Sequence, residues 1–275
     1  MDNNSATVIE CCKLGPDQVR LGLDVPAIAS SIEPGQFVHV SCGDINQTFL
    51  RRPFSLHRFI RRQDGGPPTG IEILFHVKGR GTRWLASRRP GDSVDILGPL
   101  GMGFNIKKNP DRDAIVIAGG VGVAPIPALV ERLHAQNRKV LVLLGARTDS
   151  GILCESELRE CGATVEVATE DGSRGIKGFV SRLLDEKLDT IEKSELFVCG
   201  PAPMMRAIAE MVADTGVSCQ VSLEVAMACG VGACMGCTVP AVGGGYRRVC
   251  LEGPVFDAAD IAWQDYIETV RRARL

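Results

Sequence analysis

Four cysteines near the C-terminal end constrain this chain more than any other feature. They are Cys229, Cys234, Cys237 and Cys250, in the spacing C-x4-C-x2-C-x12-C. This is the ligand spacing of plant-type [2Fe–2S] clusters, in which a short loop supplies three thiolates and a distant residue supplies the fourth. Two glycines in the first loop let the backbone approach a cluster closely and direct N–H groups at its sulfurs. The sequence therefore predicts a cluster that moves one electron at a time.

A chain of 275 residues with eleven cysteines also allows other interpretations. A zinc site usually combines two short cysteine knuckles, and the second knuckle is missing here. Residues 1–5 lack the basic and apolar character of a signal peptide, so disulfides are disfavoured and a cytoplasmic location is expected. A non-catalytic structural module that holds zinc in the four cysteines stays open as an alternative of another class.

Charge and hydropathy disfavour two kinds of partner. The formal net charge is −2, which gives no reason to expect nucleic acid. No run of about 18 or more apolar residues occurs, so the sequence predicts no membrane-spanning helix. The length of the chain is sufficient for two domains and a small third one.

Hydrophobic periodicity divides the chain into three segments. Residues 1–106 contain short alternating or apolar runs separated by turn residues, which predicts an antiparallel sandwich or barrel. The strands are expected at 18–23, 37–41, 54–59, 71–77 and 93–97, with one short helix at 82–88.

The second segment, residues 107–218, alternates strands and helices, which predicts a parallel sheet wrapped by helices. Its strands are expected at 114–118, 140–144, 164–168 and 196–199, and its helices up to residue 134 and at 156–161, 179–188 and 203–214. The third segment, residues 219–275, holds the cysteines. A turn at 243–245 and a helix at 258–274 are expected there.

Two glycine turns follow strands of the second segment. The first runs from Gly119 through Gly120 and Gly122 to Pro125, and the second is Cys199-Gly200-Pro201. Open α/β sheets bind ligands at the carboxyl ends of their strands, and N–H groups exposed there suit a pyrophosphate. Two such turns in one sheet favour a dinucleotide site. Because a proline stands where the last glycine of G-x-G-x-x-G would be, an ordinary tight turn stays open for the first of them.

The first segment contains two weaker signals. Arg52-Pro53-Phe54-Ser55 offers a guanidinium for a phosphate, a hydroxyl for a ring edge and an aromatic ring to pack on a flavin. Gly79-Arg80-Gly81-Thr82 could let a phosphate approach the backbone. An ordinary strand with a solvated arginine and an ordinary turn are the competing interpretations.

Taken in order, these motifs resemble the ferredoxin–NADP reductase superfamily. The added cysteine motif makes the chain similar to the electron-transfer subunits of type B dihydroorotate dehydrogenase. Further similar stretches are 169–173 with Lys177-Gly178, and Ser222-Leu223-Glu224 ahead of the cysteines. The chain departs from common family residues at Phe54, Ala118, Val225 and Ala226.

The resemblance implies a β unit followed by an α/β unit: an antiparallel FAD-binding β-barrel (1–106), a parallel NAD-binding α/β sheet (107–218) and a small [2Fe–2S] domain (219–275). It implies that FAD is held by Arg52, Pro53, Phe54, Ser55, Leu74, Phe75, His76, Gly81 and Thr82. It implies that NAD is held by Gly120, Gly122, Pro125, Cys199, Gly200 and Pro201. The four cysteines would ligate the cluster, and no residue is predicted to be a catalytic acid or base.

The implied activity is that of an oxidoreductase subunit in pyrimidine biosynthesis. Electrons would pass from dihydroorotate through the FMN of a separate catalytic subunit to the cluster, then to FAD and NAD+, in a heterotetramer of two plus two chains. A flavin is needed because NADH exchanges a hydride while the cluster exchanges single electrons. A separate partner is expected because this chain has no room for a catalytic barrel of about 250 residues.

Two neighbouring families stay open as alternatives. One comprises small subunits of NADH-dependent ferredoxin–NADP oxidoreductases, which tend to replace one cluster cysteine by aspartate. The other comprises gamma subunits of hydrogenases or sulfhydrogenases. The choice between NAD and NADP also stays open, because Arg147 could meet a 2′-phosphate and only the resemblance favours NAD.

Overall fold

The structure of the chain is a computed structural model that describes residues 2–43, 48–62, 65–107, 109 and 111–272. Two sheets of seven strands each and one two-stranded hairpin make up its β structure. No helix among these described residues is long and apolar enough to cross a bilayer. The end of the predicted C-terminal helix, at residues 273 and 274, lies outside the described residues.

The first sheet is antiparallel and barrel-like, as predicted. Its order is β4-β3-β7-β1-β2-β6-β5. The strands are β1 (Asp2–Lys13), β2 (Gln18–Asp24), β3 (Phe37–Val40), β4 (Arg52–Ser55), β5 (Arg58–Ile60), β6 (Gly70–His76) and β7 (Ser93–Leu100). Two short helices, α1 (Pro26–Ala29) and α2 (Arg80–Leu85), lie in its connections.

Two features of this sheet differ from the sequence prediction. The sequence does not predict the long strand β1, because its first residues are polar and the fully buried apolar residues among its described side chains are Ala6 and Val8, near its middle. The run at 54–59 is two strands at opposite edges of the sheet. It breaks because Leu56 and His57 turn inward and are fully buried.

The second sheet is parallel except at one edge, and its order is β11-β10-β9-β8-β12-β13-β16. Its parallel strands are β8 (Asp113–Gly119), β9 (Val140–Ala146), β10 (Thr164–Thr169), β11 (Ile176–Lys177), β12 (Ser194–Cys199) and β13 (Cys219–Ser222). Its helices are α3 (Ile126–His134), α4 (Glu155–Glu160), α5 (Ser181–Asp185) and α6 (Ala202–Val212). The fifth helix is shorter than predicted, since the chain continues as a 3₁₀ turn at Leu188–Lys193.

The cysteine segment is joined to this sheet. It contains the hairpin of β14 (Thr238–Pro240) and β15 (Tyr246–Arg248), then β16 (Val255–Asp257) and α7 (Trp263–Arg272). The predicted glycine turn lies between the two hairpin strands, with φ of +80°, +95° and +81°. Strand β13 pairs with β12, and β16 pairs antiparallel with β13. Sheet pairing thus continues past the proposed boundary at residue 218, and that boundary stays a prediction.

The three segments share their hydrophobic cores. Phe37 and Leu100 of the barrel pack in the same core as Cys237 and Cys250 of the cysteine segment. Ala128 of α3 packs in the core of the barrel. The barrel therefore faces the carboxyl edge of the second sheet on one side and the cysteine loop on the other.

Candidate functional site

The two glycine turns lie side by side at the carboxyl ends of β8 and β12. A β-carbon at Gly122 would lie 2.5 Å from the carbonyl oxygen of Cys199 and 2.6 Å from the Cα of Gly200. Only glycine permits so close an approach of two backbones. The first turn continues as a 3₁₀ turn at Gly120–Val123, and α3 begins only after Pro125. A β-carbon at Gly120 would meet no atom within 4 Å, so this glycine borders open space.

Side chains from the second turn close this edge of the sheet. A β-carbon on Gly119 would lie 3.0 Å from Cδ of Pro201 and 2.5 Å from Sδ of Met204. Burial raises the pKa of the Cys199 thiol to about 12, and the charge of Glu224 adds to this. The thiol is therefore protonated at neutral pH and is a poor nucleophile. The predicted NAD residues thus converge on one packed edge, with open space beside Gly120.

The predicted FAD residues of β4 divide between the core and the surface. Phe54 is only 8% exposed, and its ring centroid lies 5.3 Å from that of Phe75. Most of the Phe54 ring packs in the barrel core, so only an edge of the ring is left to contact a flavin. Arg52 donates from Nη1 to the carbonyl oxygen of Leu50 at 2.6 Å. Pro53 and Ser55 are half-buried on the same strand.

The predicted FAD residues that follow lie on β6 and α2. Leu74 packs with the second sheet and Phe75 with the barrel, so adjacent residues of β6 connect the two units. Thr82 accepts at Oγ1 from the N–H groups of Lys78 and Gly79, at 2.9 and 3.0 Å, which fixes the turn into α2. A β-carbon at Gly81 would lie 3.0 Å from Cβ of Cys42.

Electrostatics link the end of β6 to the cysteine segment. His76 is half-buried, and burial followed by the charge of Lys78 lowers its pKa. Glu224, from the cysteine segment, acts on both His76 and Cys199. The hydroxyl of Tyr266 holds the Glu224 backbone, donating to its carbonyl oxygen at 3.1 Å. The predicted FAD and NAD residues therefore meet where all three segments join.

Sequence reasoning missed His57, which holds the barrel against the first glycine turn. Its Nδ1 lies 2.7 Å from the carbonyl oxygen of Ala124, and its own carbonyl accepts from the N–H of Ala128 at 2.9 Å. The only sequence signal is its position two residues after Arg-Pro-Phe-Ser. The sequence around His57 does not reveal its contacts with Ala124 and Ala128, which arise from tertiary packing.

Backbone N–H groups surround the four cysteine sulfurs. The N–H···Sγ contacts are Val231 to Cys229 at 3.5 Å, Cys234 to Cys229 at 3.4 Å, Gly232 to Cys250 at 3.1 Å, Gly236 to Cys234 at 3.4 Å and Cys250 to Cys237 at 3.4 Å. Gly230, Gly232 and Met235 have positive φ of +71°, +79° and +60°, which curls the loop around the sulfurs. N–H groups aimed at thiolates are what an iron–sulfur cluster requires.

The sulfurs contact one another in two pairs, and the charge of Cys229 also acts on Cys250 of the other pair. Cys229 interacts with Cys234, and Cys237 interacts with Cys250. Among the described residues, the one group of three ligands whose donor atoms all lie within 4.8 Å of one another is elsewhere in the chain. A single tetrahedral zinc would hold four sulfurs about 3.8 Å apart, since Zn–S is about 2.3 Å. The arrangement suits two irons with two sulfurs each.

The pairs differ in exposure and in acidity. Cys234 is exposed, whereas Cys237 and Cys250 are buried. Burial raises the pKa of Cys229, but the N–H groups of Val231, Cys234 and Ala233 outweigh it and lower that pKa to about 6. Burial and the neighbouring Cys237 raise the pKa of Cys250 to about 12. Iron bound between the pairs would supply the positive charge that buried thiolates need.

A second residue that sequence reasoning missed is His39 of β3. It is fully buried, and a β-carbon on Gly230 would lie 2.5 Å from its Nδ1. Burial and the charge of Arg51 lower the pKa of His39 to about 4, so the ring is neutral. The cysteine loop therefore rests directly on a barrel strand, through a glycine and a neutral imidazole.

Comparison with known proteins matches both halves of this site. A family model described as the iron–sulfur cluster binding domain of dihydroorotate dehydrogenase B matches residues 224–262. Another, described as an oxidoreductase NAD-binding domain, matches residues 116–210. Among solved structures, that of an NADH-dependent reduced ferredoxin-NADP oxidoreductase is 25% identical with a TM-score of 0.84, and the match covers 98% of this chain and 94% of that chain. A ferredoxin reductase in carbazole 1,9a-dioxygenase is 22% identical with a TM-score of 0.65. The match covers 78% of this chain and 66% of that chain, and it supports the fold alone.

Curated relatives cover nearly the whole chain. The electron transfer subunit of dihydroorotate dehydrogenase B (NAD(+)) from Desulforamulus reducens is 41% identical over 262 residues, which are 94% of this chain and 98% of the relative. The subunit from Geobacillus kaustophilus is 41% identical over 232 residues, which are 83% of this chain and 86% of the relative. On this identity and coverage, the chain belongs to the family of electron transfer subunits of dihydroorotate dehydrogenase B.

Proposed function

We propose that this chain passes electrons between a dihydroorotate-oxidising catalytic subunit and NAD+, through a [2Fe–2S] cluster and FAD. The observation that carries the proposal is the juxtaposition of paired cysteines, a barrel and a glycine-lined sheet edge in one chain. FAD, when bound, exchanges a hydride with NAD and single electrons with a cluster. Residues of this chain would bind the cluster, FAD and NAD and hold them in position.

The protein residues would bind and position the three groups. Cys229, Cys234, Cys237 and Cys250 would ligate two irons, with five N–H contacts at their sulfurs. The glycine turns would hold the NAD pyrophosphate beside Gly120, where the space is open. The barrel residues from Arg52 to Ser55, 74–76, Gly81 and Thr82 would hold FAD between that edge and the cysteine loop.

An apolar surface beside the cysteine loop supports a partner subunit. Cys234 is exposed, and the neighbouring Met235 and Leu251 are 53% and 44% exposed. Exposed apolar side chains next to a redox centre suit docking of a second protein, because electrons cross only short distances. We assign this surface to an FMN-containing catalytic subunit in a two-plus-two assembly. A cytoplasmic location belongs to the same proposal, supported by eleven cysteines that are all free.

The test is anaerobic co-purification with the catalytic subunit of the same organism. We expect two irons and one FAD per chain, bleaching of the visible spectrum by NADH, and dihydroorotate-dependent reduction of NAD+ by the complex. The isolated chain should oxidise NADH with artificial acceptors but not oxidise dihydroorotate. A colourless chain, or dihydroorotate oxidation by the pure chain, would contradict the proposal.

The docking surface has its own test. Leu251→Asp and Met235→Asp are expected to weaken assembly with the catalytic subunit about tenfold or more, since each buries a charge in an apolar interface. Phe179→Asp, at an apolar side chain that is 66% exposed and lies outside the cysteine segment, serves as the control. Size-exclusion chromatography with light scattering measures the assembly. Unchanged assembly in both surface variants would place the partner elsewhere.

A second candidate function rests on the similarity to the NADH-dependent reduced ferredoxin-NADP oxidoreductase structure. In that case the partner would accept electrons from ferredoxin rather than oxidise dihydroorotate. Dihydroorotate-dependent reduction of NAD+ by the complex discriminates the two. Activity with reduced ferredoxin and none with dihydroorotate would favour the second candidate.

A further inference from the structure

A compact group of polar side chains lies away from the cysteine loop, where the barrel meets α4. His57 follows β4, Cys154 directly precedes α4, and Glu157 lies in the first turn of that helix. One donor atom from each residue lies within 4.8 Å of the other two. The predicted FAD, NAD and cluster residues do not include any of the three. The group is therefore distinct from the residues predicted to bind FAD, NAD or the cluster.

His57 presents a lone pair to this group. The ring is 0% exposed, and its Nδ1 lies 2.7 Å from the carbonyl oxygen of Ala124. A carbonyl oxygen can only accept, so Nδ1 carries the hydrogen and Nε2 carries the lone pair. Nε2 is buried and has no hydrogen-bond partner. Burial also lowers the pKa of His57 to about 4, which keeps the ring neutral. A neutral imidazole oriented by a carbonyl is the usual form of a metal-binding histidine.

Glu157 and Cys154 present the other two donors. Oε1 of Glu157 is paired with Nη1 of Arg20, while its Oε2 is buried without a partner. Cys154 has a positive φ of +62°, a conformation that non-glycine residues rarely adopt without a compensating contact. Its thiol is partly buried beside Glu157. Two buried atoms without a hydrogen-bond partner, Nε2 of His57 and Oε2 of Glu157, thus lie together with the Cys154 thiol, which gives the group donors of types N, S and O.

The local charge can accommodate a divalent cation. Arg20 and Arg58 are positive groups that act on the site, and Arg20 is shared between Glu157 and Glu72, with Nε 3.6 Å from Oε1 of the latter. The two glutamates and a Cys154 thiolate would carry three negative charges, against two positive charges on the two arginines and none on the neutral imidazole. The net charge around the group is therefore negative, which attracts a cation.

We propose that His57, Cys154 and Glu157 bind one borderline-soft divalent cation of the Zn²⁺ class at the junction of the barrel and the α/β unit. Mixed N, S and O donors suit Zn²⁺, whereas Mg²⁺ and Ca²⁺ require oxygen ligands. The cation replaces the proton of the Cys154 thiol, which is released to solvent, and water completes the tetrahedron. The bound ion ties the loop after β4 to α4. This inference does not depend on the proposed function.

The test uses the chain loaded with FAD and its iron–sulfur cluster, stripped of loosely bound metal and then incubated with Zn²⁺. We expect one zinc per chain after desalting, with an unchanged cluster spectrum, and an anomalous difference peak at the zinc edge between the three side chains. Cys154→Ser should weaken zinc binding about tenfold or more. Cys161→Ser, at a half-buried cysteine just after the same helix, is the matched control and should bind zinc as the parent does.

A second measurement keeps the proposal testable if a variant folds poorly. In the parent chain, Zn²⁺ should slow amide hydrogen exchange in residues 154–160 and raise the melting temperature, since binding to the native state stabilises it. Absence of zinc retention by the parent chain, equal retention by Cys154→Ser, or an anomalous peak elsewhere would each overturn the proposal. In those cases the three side chains form a metal-free buried network.

Discussion

At the scale of single residues, Gly230 is the point where the cysteine loop contacts the barrel. Its φ is +71°, and a β-carbon there would lie 2.5 Å from Nδ1 of His39. Gly230→Ala is expected to displace the loop and lower the iron content, because the clash adds to about 1–2 kcal/mol of left-handed backbone strain. Iron analysis and the visible spectrum of anaerobically purified protein measure the effect.

Gly243→Ala is the control variant, because it introduces left-handed backbone strain without a clash like that between residue 230 and His39. Gly243 has a similar φ of +80°, but a β-carbon there would meet no atom within 4 Å. The control variant is therefore expected to keep its full iron content. Full iron content in Gly230→Ala would show that the loop does not need the close contact with His39.

At the scale of elements, the turns after β8 and β12 act as one unit. Gly122→Ala would force the carbonyl oxygen of Cys199 away from a β-carbon that now lies 2.5 Å from it. We expect KM for NADH to rise about tenfold or more with an artificial acceptor, because the turns that would bind NAD separate. Steady-state kinetics of the FAD-loaded chain measure this change.

A glycine of the same unit but outside the turns provides the comparison. Gly216 precedes β13, has a φ of +70° and has open space at its β-carbon position. Gly216→Ala should leave KM for NADH within about twofold while costing some stability. If both variants raise KM equally, general destabilisation and not turn contact is responsible.

The elements also show what sequence can and cannot reveal. The cysteine loop and the glycine turns were predictable because their chemistry is encoded in local spacing, and the alternating strands and helices because their periodicity is regular. Residues 219–222 and 255–257 were assigned to the cluster segment, yet they extend the second sheet. The sequence of a short apolar run does not reveal which strand it pairs with. His39 and His57 were missed for the same reason: their contacts are set by tertiary packing.

At the scale of the whole molecule, the cysteine segment adds two strands to the second sheet and is hydrogen-bonded to the chain that follows β7 of the barrel. The N–H of Met102 donates to the carbonyl oxygen of Gly253 at 2.6 Å, and that of Leu223 donates to Pro254 at 2.9 Å. Removing the iron with a chelator is therefore expected to speed amide hydrogen exchange at 102 and 223, because Cys237 and Cys250 lose their ligand within the shared core.

Exchange within β9, which is remote from the cysteine segment in the sheet order, should stay unchanged in the same experiment. Mass spectrometry of peptic peptides resolves both regions. Equal acceleration in β9 would mean that the whole chain depends on the cluster, and no acceleration at 102 and 223 would mean that the segment folds without iron.

A buried ion pair holds the connection between barrel and second sheet at the opposite edge from the glycine turns. The side chains of Arg138 and Glu195 are 1% and 0% exposed, with Nη1 and Nη2 each 3.2 Å from Oε2. Arg138 also donates to the carbonyl oxygens of Ile106 and Arg112, at 3.3 and 2.8 Å. Gln220 donates to the remaining oxygen of Glu195 at 3.0 Å. The pair therefore fixes the chain between the two units to the sheet.

Glu195→Gln leaves the arginine buried without its counter-charge, which is expected to destabilise the chain by about 3–5 kcal/mol. Glu131→Gln breaks the half-exposed pair of Glu131 with Arg61 and should cost about 1 kcal/mol or less. Thermal unfolding of both FAD-loaded variants at one scan rate measures the difference. Because the pair lies far from the glycine turns, KM for NADH should be unchanged in folded Glu195→Gln. Equal melting temperatures for the two variants would mean that the hydrogen bonds to Ile106 and Arg112, and not the charge of Glu195, hold this connection.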